Sequence, residues 1–132
     1  MLEGSCHCGQ VSWRYDSEPE QATACNCTVC RRYGVIWIYG LDEVNVHVSG
    51  ETIEYVRADG DGPLGFHFCP TCGCIAYWRG RRLREDGQRR VGVNVRLCEP
   101  ANAAQIPLEH LDALDTWQDI PRPAKCVGDM WF

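Results

Sequence analysis

Short runs of β-branched and aromatic residues alternate with turn signals along the chain. In segment 44–48 every second residue is valine, and Asn45 and His47 lie between the valines, which predicts a strand with one buried and one polar face. Runs of this kind indicate short strands at Val11–Tyr15, Val35–Leu41, Val44–Val48, Thr52–Arg57, Gly65–Cys69, Ile75–Trp78 and Val91–Val95.

Helical periodicity is weak by comparison. Short helices are predicted at Thr28–Tyr33 and Pro107–Leu114, with a loop over Glu99–Pro107. Ser49–Gly50 and segment 59–63 are typical of turns. The pattern therefore predicts a mainly β fold with little helix, and the length of 132 residues is that of a single domain over residues 1–132.

Composition narrows the function classes. The chain is 45% hydrophobic and 23% charged, which is typical of a globular protein with a real core. Its net charge of -5 argues against nucleic-acid and anionic-membrane partners, which require a positive surface. Because no leader or bilayer-spanning run is evident, we expect a cytoplasmic protein. The oligomeric state stays open.

One basic segment, residues 79–90, stands out against this acidic background. Asp86–Gly87 within it predicts a hairpin tip, where charges are normally solvated. No aromatic stacking platform accompanies the arginines, so the segment does not indicate nucleic-acid binding. Its role stays open.

Ten cysteines are the strongest chemical signal in the sequence. In a reducing compartment this abundance indicates metal binding rather than disulfides. A Cys-x-x-Cys turn directs two sulfurs at one point, and a following glycine can adopt positive φ. Seven of the ten fall into three tight groups: Cys6 and Cys8; Cys25, Cys27 and Cys30; Cys69 and Cys72.

Structural zinc takes four protein ligands, whereas catalytic zinc takes three and leaves one position open. The simplest arrangement therefore combines the first and third groups into a closed site and leaves the middle group open. An alternative closes the middle group with Cys74, His67 or His7. Cys98 and Cys126 are expected to be buried free cysteines.

Three motifs then resemble one known family in order, spacing and flanking residues. They are GSCHCGQV at Gly4–Val11, CNCTVCRR at Cys25–Arg32 and FCPTCG at Phe68–Gly73. Together they resemble the glutathione-dependent formaldehyde-activating enzyme family, also called the CENP-V/GFA domain. The resemblance extends from Gly4 to about Val95, with a weaker similarity around Trp117.

The resemblance implies a fold and two zinc ions. The implied fold is an Mss4-like, zinc-stapled β-sandwich of short antiparallel strands. A structural Zn²⁺ would be held by Cys6, Cys8, Cys69 and Cys72. A catalytic, more labile Zn²⁺ would be held by Cys25, Cys27 and Cys30.

The resemblance also implies carbon-sulfur lyase activity. The reaction would form or cleave the adduct between a thiol such as glutathione and a small carbonyl such as formaldehyde, for example S-hydroxymethylglutathione. A zinc held by three thiolates suits this chemistry, because it can lower the pKa of an incoming soft thiol.

Several polar residues near the cysteines have two interpretations each. Arg31 and Arg32 could bind a substrate carboxylate or form a solvated pair. His67 could shuttle a proton, although a structural histidine is the simpler interpretation. Asn26 could donate to a neighbouring sulfur or serve the turn conformation.

Two other function classes remain compatible with the sequence. One is a non-catalytic, zinc-stabilised binding module. The other is a thiol redox or metal-buffering protein that uses Cys74, Cys98 and Cys126.

Overall fold

The computed structural model describes residues 1–59 and 64–130, so only Asp59 of the predicted 59–63 turn lies within the described residues. This part of the chain is mainly β. The strands are β1 (Leu2–Ser5), β2 (Ser12–Tyr15), β3 (Ala22–Cys25), β4 (Trp37–Leu41), β5 (Val46–Ser49), β6 (Ile53–Val56), β7 (Leu64–Phe68), β8 (Ile75–Gly80), β9 (Arg90–Asn94) and β10 (Leu108–Leu111). The helices are α1 (Cys30–Tyr33), α2 (Pro100–Ala103) and two 3-10 turns, Val95–Leu97 and Val127–Met130.

The strands form two sheets. A three-stranded sheet has the order β1-β2-β5, and a seven-stranded sheet has the order β10-β3-β4-β9-β8-β7-β6. All pairings are antiparallel except that of β10 with β3, which is parallel. The predicted fold class, mainly β with short strands and little helix, is confirmed.

Alternation along the strands gives the seven-stranded sheet two different apolar faces. One face, with Ile38 and Tyr77, packs with Trp13 of the small sheet in the main core. The neighbouring residues Trp37 and Trp78 belong to a second apolar cluster, which also includes cysteines of the middle group. The second face is the one that positions the candidate site.

The seven predicted strands are present, with bounds shifted by a few residues. The predicted helix at Pro107–Leu114 is wrong, because Leu108–Leu111 is strand β10 and pairs with β3 in the register Leu108↔Ala22. A partner so distant in sequence overrides the local preference of this segment. The loop predicted over Glu99–Pro107 contains the short helix α2.

Val44 also departs from the prediction, since it is 52% exposed and lies before the strand. A turn precedes β5, with Glu43 at a positive φ of 58° and the Asn45 side chain accepting from the Leu41 amide. Alternation holds only from Val46, which is fully buried.

Internal partners hold several arginines of the basic segment. Arg79 forms an ion pair with Asp42 at 2.9 Å, and Arg84 forms one with Asp86 at 3.2 Å. Arg89 donates to the Gly80 carbonyl at 2.6 Å. These contacts engage Arg79, Arg84 and Arg89 within the protein.

No helix within residues 1–59 and 64–130 has both the length and the apolar character needed to cross a membrane.

Candidate functional site

Four cysteine sulfurs meet where the two sheets join. Cys6 and Cys8 follow β1, and Cys69 and Cys72 lie in the turn between β7 and β8. The Sγ atoms of Cys6 and Cys8 are 3.6 Å apart, those of Cys8 and Cys69 are 3.5 Å apart, and all four lie within 4.8 Å of one another. The structure thus brings together the four residues that the sequence assigns to the closed site.

Backbone geometry shapes this four-cysteine group. Gly73 has a φ of +76°, a left-handed conformation that glycine adopts without strain, and its amide donates to the Cys69 carbonyl at 2.9 Å. The Val11 amide donates to the Cys6 sulfur at 3.3 Å. The turn and this donor fix the directions in which the sulfurs point.

The four-cysteine group fits a tetrahedral metal ion. Zinc–sulfur bonds of about 2.3 Å place sulfurs roughly 3.8 Å apart, close to the spacings found. The pKa values of the thiols in this group differ from one another. The Cys74 and Cys8 amides lower the pKa of Cys72 to about 5. A hydrogen bond from the Gln10 amide lowers the pKa of Cys8. Burial and the neighbouring thiols together outweigh this effect and raise the pKa to about 12.

The middle group lies at the end of β3 and the start of α1. Amides of the turn donate to sulfurs, from Cys27 to Cys25 at 3.5 Å and from Cys30 to Cys27 at 3.4 Å. The Trp37 indole Nε1 donates to the Cys30 sulfur at 3.2 Å. Three sulfurs therefore converge within 4.8 Å, each oriented by this hydrogen-bonded frame.

No fourth cysteine, histidine or carboxylate joins this three-cysteine group in the described part of the chain. Cys74 lies instead beside the four-cysteine group, where its carbonyl accepts from the Cys69 amide at 3.0 Å. His67 bonds Thr52 at 2.8 Å, approaches Glu54 at 3.3 Å and stacks on Tyr77, which is a structural arrangement.

The three thiols are electrostatically unequal. Hydrogen bonds from Cys25 and Cys30 lower the pKa of Cys27, whereas the thiols of Cys25 and Cys27 raise the pKa of Cys30. Negative charge is therefore favoured on Cys27 over Cys30, and a nearby positive charge stabilises it. Arg57 supplies part of this charge, because its Nη1 lies 3.9 Å from the Cys27 sulfur.

Arg57 is itself held in place from two sides. Its Nη2 donates to the Thr28 hydroxyl at 2.9 Å, and its Nε donates to the Asp59 carbonyl oxygen at 2.8 Å. An arginine with this fixed orientation is a positioned counter-charge rather than a mobile surface group.

A pocket of about 230 Å³ opens beside the three-cysteine group. Its apolar walls come from the second face of the large sheet and from the segment after β10. Burial raises the pKa of the Tyr39 phenol to about 12, so this hydroxyl is a neutral donor. The main wall residues are Trp37, Tyr39, Phe66, Trp78, Leu111 and Trp117.

The arginines of the pocket are Arg57 and Arg90, and Arg90 lies over the Trp78 ring at 5.6 Å. Arg31 and Arg32 lie in adjoining depressions instead, and Arg32 donates to the Thr28 carbonyl at 2.6 Å. Substrate binding by Arg31 and Arg32 stays a prediction.

Sequence reasoning did not identify Arg57, Tyr39 or Arg90 as site residues. Each lies in or next to a strand whose residues alternate between the faces of the sheet, and the alternation alone does not show which face holds the site. The remaining cysteines are outside both groups. Burial raises the pKa of Cys98 to about 12, so its thiol is unreactive.

The fold and the two cysteine groups define a mainly β protein built around sites that could hold metal ions. The family model described as glutathione-dependent formaldehyde-activating enzyme matches residues 1–109. The chain therefore belongs to the glutathione-dependent formaldehyde-activating enzyme family.

Two relatives extend this finding. A curated Halomonas elongata protein named "Putative glutathione-dependent formaldehyde-activating enzyme" is 36% identical in an alignment of 88 positions that covers 59% of this chain and 55% of that protein. The chain thus spans about half the length of this curated relative. The crystal structure of a Rhodobacter sphaeroides protein superimposes with a TM-score of 0.59 at 25% identity, over 81% of this chain and 99% of the other.

Proposed function

We propose that this protein is a zinc-dependent carbon-sulfur lyase that forms or cleaves a thiol-carbonyl adduct such as S-hydroxymethylglutathione. One observation carries the proposal: three cysteine sulfurs without a fourth protein ligand among the described residues open into a pocket. The four-cysteine group of the same chain differs in this respect, because it already offers four sulfurs to a metal ion. Membership of the family supports glutathione and formaldehyde as the substrate classes.

In this proposal Cys25, Cys27 and Cys30 hold the catalytic Zn²⁺, and Cys6, Cys8, Cys69 and Cys72 hold a structural one. When bound, the catalytic zinc supplies a soft Lewis acid that lowers the pKa of a thiol brought to it. Sulfur donors at these spacings suit zinc.

The side chains around the three cysteines complete the site. Arg57, 3.9 Å from the Cys27 sulfur, offsets the excess negative charge of three thiolates. The indole of Trp37 holds the Cys30 sulfur through its N–H. Tyr39 lines the same pocket, and in this proposal its neutral hydroxyl donates to the oxygen of the carbonyl group.

The overall reaction conserves atoms and electrons. The thiol sulfur bonds to the carbonyl carbon, the carbon–oxygen π bond opens, and the thiol proton ends on the new hydroxyl. Cleavage is the reverse. The reducing cytoplasm, where we expect the protein to act, keeps such thiols available.

Replacing Cys27 with alanine tests this proposal. The Cys27→Ala variant should lose about one equivalent of zinc, because two sulfurs retain the ion poorly, and it should lose turnover while the fold survives. Zinc is measured by elemental analysis, the fold by circular dichroism, and turnover by NMR exchange between glutathione, aldehyde and adduct. Unchanged exchange in Cys27→Ala would sink the proposal.

Cys126→Ala is the matched control. Cys126 lies outside both cysteine groups, so its removal should leave zinc content and exchange unchanged.

A further inference from the structure

The pocket beside the three cysteines is much larger than formaldehyde requires. Its volume of about 230 Å³ exceeds the roughly 30 Å³ share of one water molecule several-fold, whereas formaldehyde has only two heavy atoms. A substrate as small as formaldehyde would leave most of this space to water. The volume therefore leaves room for a larger group next to the reacting carbon, and the chemistry of the walls bears on what that group is.

The walls of the pocket are aromatic. The Trp37 and Phe66 rings are 6.3 Å apart, and the Tyr39 and Trp78 rings are 5.8 Å apart. Gly92 makes room for Trp78, because a Cβ at that position would come within 3.0 Å of the indole ring. Aromatic rings favour another ring at their faces and edges, and on these walls Tyr39 offers more free surface than the buried Trp37 and Phe66.

Trp117 closes one side of the pocket and lies outside the part of the chain that the family model matches, residues 1–109. Its side chain is 69% exposed, which is unusual for so large an apolar group. Its backbone is nevertheless fixed, with a φ of 58° and its amide donating to the Asp112 carbonyl at 2.8 Å. An exposed indole on a fixed backbone at a pocket mouth is a surface suited to contact with a ligand.

Arg90 lies at the same pocket and stays available for a polar substrate end. Within residues 1–59 and 64–130 no carboxylate lies within 4.0 Å of its guanidinium group, which rests over the Trp78 ring. A carboxylate on the thiol partner could bind there while an apolar group fills the pocket.

We infer that the pocket takes an aromatic group of the carbonyl partner, so that thiol adducts of aromatic aldehydes are preferred over the formaldehyde adduct, with Trp117 as the specificity-determining wall. The inference rests on the proposed function. The reaction stays the same, since the thiol adds to the aldehyde carbon and its proton ends on the adduct hydroxyl.

Two stable thioethers that cannot react test the binding preference. Calorimetric titration of the zinc-loaded full chain should give an affinity for S-benzylglutathione about tenfold or more above that for S-methylglutathione. Because the glutathione part is common to both ligands, the ratio isolates the pocket. Equal affinities, or no measurable binding of S-benzylglutathione, would overturn the inference.

Variants of Trp117 test whether this residue causes the preference for S-benzylglutathione over S-methylglutathione. Trp117→Ala should reduce the ratio to less than about threefold, while Trp117→Phe should keep most of it, because a ring is retained. Leu83→Ala is the matched control, since Leu83 is an exposed apolar residue away from the pocket. A ratio unchanged in Trp117→Ala contradicts the role of Trp117.

Exchange NMR separates this inference from the proposed function. With each rate taken relative to the uncatalysed exchange of the same adduct, a greater acceleration for the benzaldehyde adduct than for the formaldehyde adduct supports both. Exchange that favours formaldehyde overturns the aromatic preference and leaves the lyase proposal standing. Exchange of neither adduct overturns the lyase proposal and the inference with it.

Discussion

Asn26 lies between two candidate ligands, Cys25 and Cys27, and its side chain reaches across to the C-terminal segment. Its amide Nδ2 donates to the Asp112 carboxylate at 2.9 Å, and its Oδ1 accepts from the Leu114 amide at 3.2 Å. Neither contact is with a sulfur, so the sulfur interpretation of Asn26 does not hold. Asn26 instead joins the cysteine turn to the loop that carries Trp117.

Asp112 is the other half of this link. Its carboxylate also accepts from the Thr116 amide at 3.2 Å and hydroxyl at 3.0 Å. Hydrogen bonds from Asn26 first, and then from Thr116, lower the pKa of Asp112. A depressed carboxyl pKa means that the link is complete above the unfolded pKa of about 3.9 and is lost as the pH falls through the lower folded value.

The Asp112→Ala variant should therefore loosen the 113–118 loop at neutral pH. Amide hydrogen exchange at Leu114, Thr116 and Trp117 should accelerate several-fold, because the Thr116 amide loses its acceptor and the other two amides lie in the loop that the Asp112 carboxylate holds. Measured as a ratio to wild type at each pH, the difference should persist at about pH 4 and vanish only as the pH falls through the lower folded pKa of Asp112.

Asp115→Ala is the matched control for this measurement. Asp115 lies in the same loop, and its side chain has no hydrogen-bond partner within the described residues. Exchange in Asp112→Ala no faster than in Asp115→Ala would refute the link.

At the scale of elements, the turn between β7 and β8 depends on the left-handed conformation of Gly73. A Cβ at Gly73 would meet nothing within 4 Å, so the cost of a side chain there is purely conformational. Gly73→Ala should lower the free energy of unfolding of the metal-loaded protein by about 1 kcal/mol, measured by denaturant titration.

Gly80 provides the comparison within the same hairpin. It lies at the end of β8 without a positive φ, and its nearest Cβ contact would be an ordinary 3.5 Å. Gly80→Ala should be close to neutral. Equal losses in the two variants would mean that φ is not the cause.

The local sequence pattern predicted the strands in which apolar and polar residues alternate or apolar residues form a run. It did not predict β1, β3 or β10. These three have few of the β-branched residues that mark a strand, and β10 becomes a strand only through its pairing with Ala22–Cys25. The cysteine groups were predictable because ligand spacing is local. Arg57 and Trp117 were not, since long-range packing brings them to the pocket.

At the scale of the whole molecule, the four-cysteine group joins the small sheet to the large one. Cys8 and Cys69 meet across 61 residues of sequence. A metal ion held by both turns closes this long loop, which the unfolded chain would otherwise leave open. The three-cysteine group joins no such distant elements, because its ligands span one short turn.

Removal of zinc should consequently occur in two distinguishable stages. A colorimetric chelator should first extract about one equivalent with little change in circular dichroism. The second should leave together with the fold, because structural zinc contributes on the order of 10 kcal/mol, comparable to the whole stability of a domain. Release of both ions from a protein that stays folded would contradict this assignment.

The position of β10 at the edge of the large sheet has a consequence for how related proteins diverge in evolution. β10 is the outermost strand of the large sheet, and the side chain of Asn26 connects the loop after it to the cysteine turn through Asp112 and the Leu114 amide. Substitutions of Trp117 that keep these two bonds would therefore alter which aldehydes enter while both sulfur clusters persist. Among proteins with a common ancestor, the preference for one aldehyde over another can therefore change through this loop while the reaction stays the same.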